Sequence, residues 1–214
     1  MPRNVSFLRS WAGAVLAASA ALALVGCATS GDATEPEPTA AATAAPTPVE
    51  TPTATPVAVD PADVSTWPVT LDGMGPIQRE AAFEETLAGL TAFEQAEYCP
   101  GIVQLSAEGE ATMLAYHLPD SDEIAGVWAI GRPDGDGAVP ASPATEAGIQ
   151  LGSTMDELAA AYPDLVPTTQ PAGESQGYAV GDSAAGYINF LVEYDSVVVI
   201  GVQARPGVPK EFCG

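Results

Sequence analysis

The chain has few side chains that could act as a nucleophile, a general base or a zinc ligand. Its one histidine is His117, and its three cysteines are Cys27, Cys99 and Cys213. A catalytic triad or a zinc site would need further partners around the histidine. No G-x-S-x-G, H-E-x-x-H or S-x-x-K motif supplies them. We therefore predict that the protein is not an enzyme; an extracellular hydrolase with an unrecognised active site is an alternative.

Two acidic loops carry oxygen ligands of the kind that calcium prefers. The run Asp134-Gly135-Asp136-Gly137 begins like an EF-hand loop but lacks the later ligands of that motif. The second loop contains Asp120, Asp122 and Glu123. Polar turns account for both loops, so we predict no metal site and no cofactor. A small-ligand or calcium-binding protein that uses these loops is a second alternative.

The charge balance excludes one class of partner. The 214 residues include 28 Asp and Glu against 6 Lys and Arg, for a net charge of -22. A surface this acidic repels a phosphate backbone, so we predict that the protein does not bind nucleic acid.

The N-terminus has the pattern of an export signal. Two arginines precede the 17 uncharged residues from Ser10 to Gly26, a run that is short for a spanning helix and typical of a signal peptide. It ends in Leu24-Val25-Gly26-Cys27, which resembles the lipobox of bacterial lipoproteins. This resemblance implies that residues 1–26 are removed and that Cys27 carries a diacylglyceryl group. The protein would then be anchored to the extracytoplasmic face of the cell membrane.

The two remaining cysteines form an even pair. Cys99 and Cys213 have no nearby histidine and no C-x-x-C spacing, so a catalytic thiol or a metal pair is the weaker interpretation. In an exported protein we predict that they form a disulfide.

Residues 27–66 are predicted to be a disordered tether. The composition there is dominated by Ala, Thr, Pro and acids, with almost nothing large to bury. Such a segment favours an extended spacer that holds a folded domain away from the membrane.

The rest of the chain looks duplicated, with repeats at 67–140 and 141–214. Ile77-Gln78 recurs as Ile149-Gln150 at a spacing of 72, and Arg132-Pro133 recurs as Arg205-Pro206 at a spacing of 73. Repetition at one offset across a whole unit indicates two similar supersecondary units.

Each repeat is predicted to open with short helices and to close with three antiparallel strands. Thr154 and Glu157 fit a capping box before a helix that Pro163 ends. In the first repeat Phe83, Leu87 and Leu90 share a helical face, and Thr91 begins a second short helix. The predicted strands are 102–106, 112–118, 124–132, 176–180, 187–194 and 197–205. The expected fold class is α+β: two tandem repeats, each with short helices packed on a small antiparallel sheet.

The segment Gly148 to Pro163, with Gly-Ile-Gln-Leu-Gly-Ser-Thr at its start, resembles the superfamily of the beta-lactamase inhibitor protein and the BamE-like lipoproteins. That resemblance implies a binding protein without chemistry, and a duplicated fold of short helices and antiparallel sheet. The first repeat departs from the pattern because Glu80 stands in the place of Gly152.

Alternation along the strands separates two faces of the sheet. One face is apolar and includes Ile188, Phe190, Val192, Ile200 and Val202. The opposite face carries residue types that are common at protein interfaces. We predict that it is a partner-binding surface formed by Tyr116, Trp128, Arg132, Tyr187 and Arg205. The alternative is that Trp128 and Tyr116 pack in the seam between the repeats.

These patterns together predict a membrane-anchored lipoprotein of the cell envelope that presents a duplicated protein-binding domain. Its partners would be the membrane, through the N-terminal diacylglycerol, and an extracellular protein.

Overall fold

A computed structural model describes residues 58–168 and 175–213. The predicted signal peptide, Cys27 and most of the predicted tether lie outside these residues. The last residues of the tether lie within them: Asp63 caps a 3-10 turn at Val64–Thr66, and Val64 is fully buried. The folded structure therefore includes residues before the predicted boundary at Thr66.

Two short α-helices and twelve strands occur in the described residues. The helices are α1 (Phe83–Ala88) and α2 (Met155–Ala161), and no helix there is long and apolar enough to cross a membrane. The strands are β1 (Pro68–Val69), β2 (Gly73–Met74), β3 (Ile77–Gln78), β4 (Glu94–Cys99), β5 (Ile102–Ser106), β6 (Thr112–His117), β7 (Ile124–Ile130), β8 (Ala144–Thr145), β9 (Val166–Thr168), β10 (Ser175–Asp182), β11 (Gly186–Glu193) and β12 (Ser196–Gln203).

Eight of the strands form one continuous antiparallel sheet in the order β4-β5-β6-β7-β12-β11-β10-β9. Each half of the chain contributes a run of four consecutive strands that follows a helix. The two runs meet where β7 pairs with β12. The four short strands β3-β2-β1-β8 form a second, smaller sheet.

The junction between the halves pairs residues that the sequence offset makes equivalent. In the register of β7 and β12, Trp128 lies opposite Gly201, and these positions are 73 residues apart. Because the strands are antiparallel, the residues that follow Trp128 in β7 lie opposite the residues that precede Gly201 in β12. Equivalent positions of the two halves are therefore related by a rotation about this pair. The point between Trp128 and Gly201 is therefore the local two-fold centre of the sheet.

One face of the eight-stranded sheet is covered by the helices and the small sheet. The five residues predicted to line the apolar face all lie in this larger core. Helix α1 contributes Phe83 and Leu87 to this core, and α2 contributes Leu158. Met74 and Ile77 of the small sheet, and Trp67 directly before β1, also pack into it. The predicted apolar face is confirmed.

Helix α2 begins where the predicted capping box places it. Thr154 accepts a hydrogen bond from the Glu157 amide at 3.2 Å, and the Glu157 carboxylate accepts one from the Thr154 amide at 2.8 Å. The bond from the Thr154 amide, together with one that the Thr154 hydroxyl donates to the same carboxylate, holds the pKa of Glu157 below its usual value. The capping box is confirmed, but the short helix predicted from Thr91 is wrong, because β4 begins at Glu94 instead.

The predicted α+β class is also wrong. The described chain is mostly β, with α-helices of only six and seven residues. Strands β7 and β12 explain the difference, because they are buried along nearly their whole length, with apolar residues on both faces. Such strands need a neighbour on each side and cover on each face. They pair with each other and join what was expected to be two small sheets into one.

A left-handed backbone position precedes each helix. Gly152 has φ 86°, and Glu80, at the equivalent place 72 residues earlier, has φ 65°. Glycine tolerates this region, whereas a residue with a Cβ is strained there by about 1 kcal/mol. Glu80, which stands in the place of Gly152 in the first repeat, therefore keeps the left-handed backbone conformation of that position.

We expect Glu80→Gly to leave the free energy of unfolding unchanged or raise it by up to about 1 kcal/mol, because relief of strain offsets the greater entropy of the unfolded chain. Chemical denaturation measures this. Glu84→Gly is the matched control: Glu84 is exposed within α1, and the change should destabilise by about 1 kcal/mol. Equal destabilisation by both changes would contradict the strain at Glu80.

Candidate functional site

The second face of the large sheet is crossed by the chain after β12. We call residues 204–213 the C-terminal strap. Val208 and Phe212 of the strap pack on a second apolar cluster that includes Leu114 and Trp128. The strap ends at a disulfide between Cys213 and Cys99, whose Cα atoms are 6.1 Å apart. The predicted disulfide is present, and it fixes the strap to the edge strand β4.

Trp128 lies beneath this strap. Its side chain is 1% exposed, and its ring centroid is 5.5 Å from that of Phe212 in an edge-on arrangement. The ring also lies over Gly201, where an added Cβ would collide with it. The expectation that Trp128 faces solvent is wrong, and the alternative that it packs in the seam between the repeats describes its position.

Arg132 lies apart from the other predicted interface residues. Its guanidinium makes two hydrogen bonds to the Glu193 carboxylate, at 2.8 and 2.9 Å. Glu193 precedes β12, whereas Arg205 follows it. Because equivalent strands pair antiparallel here, equivalent arginines lie toward opposite ends of the sheet. Arg132 and Arg205 therefore do not share a surface.

The other three predicted residues meet around Gln203. The Tyr116 hydroxyl donates to the Gln203 side-chain oxygen at 3.0 Å, and Tyr187 lies opposite Gln203 in the pairing of β11 and β12. The Gln203 side-chain nitrogen donates to the carbonyl of Arg205 at 2.9 Å. Tyr116, Tyr187 and Arg205 thus belong to one region of the second face.

A groove of about 750 Å³ lies in this region, within the size range of ligand sites. We call it the strap groove, because the strap forms one of its walls and strand β9 contributes another part of the lining. Its lining residues are Val166, Pro167, Thr168, Ala179, Gly181, Tyr187, Gln203, Arg205, Pro206, Gly207, Val208 and Pro209.

The electrostatics of the region combine the partly buried phenol of Tyr116 with nearby cations. Burial raises the pKa of Tyr116, while the positive charges of Arg205 and Arg79 act in the opposite direction. Tyr116 therefore stays protonated at neutral pH and donates to Gln203. Within residues 58–168 and 175–213 the salt bridge is between Arg132 and Glu193, so Arg205 lines the groove without a carboxylate partner among these residues.

His117 is held in a structural environment. Its Nδ1 atom is 2.9 Å from the carbonyl oxygen of Leu118 and 2.7 Å from that of Ser121. Both oxygens are acceptors, so Nδ1 carries the proton. The ring centroid lies 4.7 Å from that of Phe83. This arrangement orients the ring through backbone carbonyls, and no carboxylate or nucleophile of the described segments is hydrogen-bonded to it.

The acidic loops use their carboxylates locally. Asp134 accepts hydrogen bonds from the amides of Asp136 and Ala138 at 2.9 and 2.8 Å, as a polar turn does. Within residues 58–168 and 175–213, no three His, Cys, Asp or Glu side chains are grouped so that they could hold a metal ion.

Sequence reasoning missed the residues that shape the groove. Asn189 is fully buried in an apolar strand, and it supports the strap by accepting a hydrogen bond from the Gly207 amide. Thr168 belongs to a three-residue edge strand with no alternating pattern. The run Pro206-Gly207-Val208-Pro209 was the available signal, because two prolines and a glycine directly after a strand indicate a fixed irregular segment.

Comparison with known proteins adds no family to this description. No protein-family model matches the chain, and no curated protein or solved structure is significantly similar to it.

Reduction of the disulfide should free the strap and expose Trp128. We expect the free energy of unfolding to fall by about 5 kcal/mol, the loop-entropy value for a bridge that spans 114 residues. Tryptophan emission should shift to longer wavelength. Denaturation with and without a dithiol, and with Cys99→Ser plus Cys213→Ser, measures both effects.

The control for the spectral change is Trp128→Phe, which keeps an aromatic ring under the strap while Trp67 remains. The shift on reduction should be absent in that variant. Ready alkylation of both thiols in the folded, unreduced protein, or an unchanged unfolding midpoint after reduction, would contradict the role of the bridge.

Proposed function

We propose that this chain is a lipid-anchored protein of the cell envelope that binds an extracytoplasmic protein through the second face of its sheet. The observation that carries the proposal is the strap groove, where half-buried Tyr187 and exposed Arg205 line a concave surface. Tyr and Arg are enriched among residues that dominate the binding energy of protein interfaces.

Two features support an exported location. The uncharged run before Cys27 ends in a sequence that resembles a lipobox, and the anchor would be the diacylglyceryl group on that cysteine. The bond between Cys99 and Cys213 agrees with an oxidising compartment. The resemblance to the beta-lactamase inhibitor and BamE-like superfamily points in the same direction, since it implies binding in the envelope.

Binding accounts for the site better than a hydrolytic reaction does. The nitrogen of His117 that would be oriented by a triad carboxylate is instead held by two backbone carbonyls. Tyr187, Gln203 and Arg205 in the groove offer hydrogen-bond donors and a cation, but none is an activated nucleophile. A groove of this composition can hold a partner in place without transforming it.

Replacement of Cys27 tests the anchor. We expect Cys27→Ala protein to leave the membrane fraction or to remain uncleaved, because no thiol is left to carry the diacylglyceryl group. Fractionation and mass spectrometry of the N-terminus measure this outcome, with Ser30→Ala as the neighbouring control. Cys27→Ala protein that is cleaved and membrane-bound like the wild type would contradict lipidation at Cys27.

Replacement of Tyr187 tests the binding face. We expect Tyr187→Ala to weaken capture of the partner at least about tenfold, a typical loss for a central interface aromatic. Crosslinking in intact cells followed by quantitative recovery measures it. Tyr194→Ala is the matched control, because Tyr194 is 82% exposed in the turn between β11 and β12 and lies outside the groove lining. Equal capture by both variants would place the interface elsewhere.

A further inference from the structure

Arg205 is a cation that forms no salt bridge within the part of the chain that the structure describes. Of the other two arginines in the described residues, Arg132 pairs with Glu193, and Arg79 donates to two backbone carbonyls at 3.0 Å each. Arg205 is exposed and lines the strap groove, and no salt bridge to it occurs in the described part of the chain. In a protein with 28 acidic residues, an unpaired guanidinium on a concave surface is suited to an anion supplied from outside.

The backbone beside Arg205 is fixed before any ligand arrives. The Gln203 side chain donates to the carbonyls of Arg205 and Gly207, at 2.9 Å each. The buried Asn189 side chain accepts from the Gly207 amide at 2.5 Å and donates to the Arg205 carbonyl at 3.4 Å. Two amides from the sheet thus hold one turn of the strap. A loop ordered in advance loses less entropy when it binds.

Thr168 supplies a second polar group in the groove. Its hydroxyl oxygen is buried and has no hydrogen-bond partner among the described residues. Its Cβ lies 3.8 Å from where a Cβ on Gly207 would stand, so it is next to the fixed turn. Buried hydroxyls are nearly always hydrogen-bonded. Because the oxygen is covered, a ligand paired with Arg205 accepts its hydrogen bond only after the Thr168 side chain rotates toward the groove.

The rest of the groove favours a short aliphatic body and a single negative charge. Ala179, Val166, Pro167 and Val208 line it, and Val166 is 59% exposed. Pro167 is the middle residue of β9 and has no amide hydrogen, so a strand added at this edge would lack a central backbone bond. A net charge of -22 also opposes a multiply charged anion such as phosphate more strongly than a carboxylate.

We propose that the strap groove binds the C-terminal end of an extended partner polypeptide. The terminal carboxylate pairs with Arg205 and, once the Thr168 side chain has rotated, accepts a hydrogen bond from its hydroxyl, while the adjacent small aliphatic side chains lie against Ala179 and Val166. A chain terminus fits because its carboxylate is attached directly to the residue that carries the aliphatic side chain. This inference rests on the proposed function and specifies which part of the partner is recognised.

Two tetrapeptides that differ in one group test the carboxylate. Acetyl-Ala-Val-Ala-Val with a free carboxylate and the same peptide with a terminal amide are titrated into the full, disulfide-bonded protein, with calorimetry as the readout. We expect the acid to bind at least about tenfold more tightly than the amide, since a charge-assisted pair is lost in the amide. Equal binding of the two peptides, or no binding of either at millimolar concentration, would overturn the proposal.

Substitutions assign the effect to Arg205. Arg205→Gln should abolish the difference between acid and amide, whereas Lys210→Gln should retain it. The two variants change the net charge equally, and Lys210 is exposed on the same strap but does not line the groove. Thermal unfolding checks that both are folded. A difference that survives Arg205→Gln, or is lost equally in Lys210→Gln, would show that Arg205 does not pair with the carboxylate.

Two further comparisons identify the source of the carboxylate. Free isovalerate should bind much more weakly than the acid peptide; equal binding would show that the groove takes a small free acid, and the polypeptide occupant would be wrong. In crosslinked cells, partner capture that depends on Tyr187 but not on Arg205 would leave the proposed function standing and overturn this inference. Loss of capture in both variants supports both proposals.

Discussion

The packing of Trp128 against Gly201 sets the arrangement of the second face. These residues lie opposite each other where β7 meets β12, at the local two-fold centre of the large sheet. Two tryptophan rings could not occupy this centre on the same face, and even a Cβ on residue 201 would collide with the ring. One half therefore supplies the ring and the other supplies the space. A tryptophan there needs cover, and the strap with Phe212 provides it.

The strap divides the second face into two parts with different properties. Toward β4 it covers the apolar cluster and is held by the bond between Cys213 and Cys99. Toward β9 it forms the wall of the strap groove. Val208 belongs to both parts, since it packs into the cluster and lines the groove. The same segment therefore completes the core of one half of the face and makes the other half concave, so the stability of the cluster and the shape of the groove are coupled.

The predictions that held are those in which neighbouring residues carry the whole signal. The capping box needs only Thr154 and Glu157, and the six predicted strands have alternating or continuous apolar patterns that locate them within a few residues. Strand β4 was missed because all but its last residue are exposed, so it has no buried face to create a pattern. The merged sheet was missed because pairing between β7 and β12 is a contact across the chain, which no local period records.

The site was predictable in its residue types and not in its grouping. Tyr116, Tyr187 and Arg205 do lie in one region, but the pairing of equivalent strands in opposite directions separates Arg132 from them. Sequence similarity between the repeats suggested a shared surface, whereas two-fold symmetry places equivalent residues apart. Burial of Trp128 depends on a segment 84 residues later in the chain, at Phe212. A pattern within one strand could not reveal that cover.

The two-fold relation also explains why one arginine is paired and the other is available. Arg132 of the first half reaches Glu193 of the second. The offset of 73 makes Asp120 the counterpart of Glu193, so the symmetric pair would join Arg205 to Asp120. Aspartate is one methylene shorter than glutamate, and the strap continues from Arg205 into a turn held by Gln203 and Asn189. No salt bridge forms between Asp120 and Arg205 in the described structure. The first repeat's arginine thus ties the halves together, while the second repeat's arginine is left with its charge at the groove.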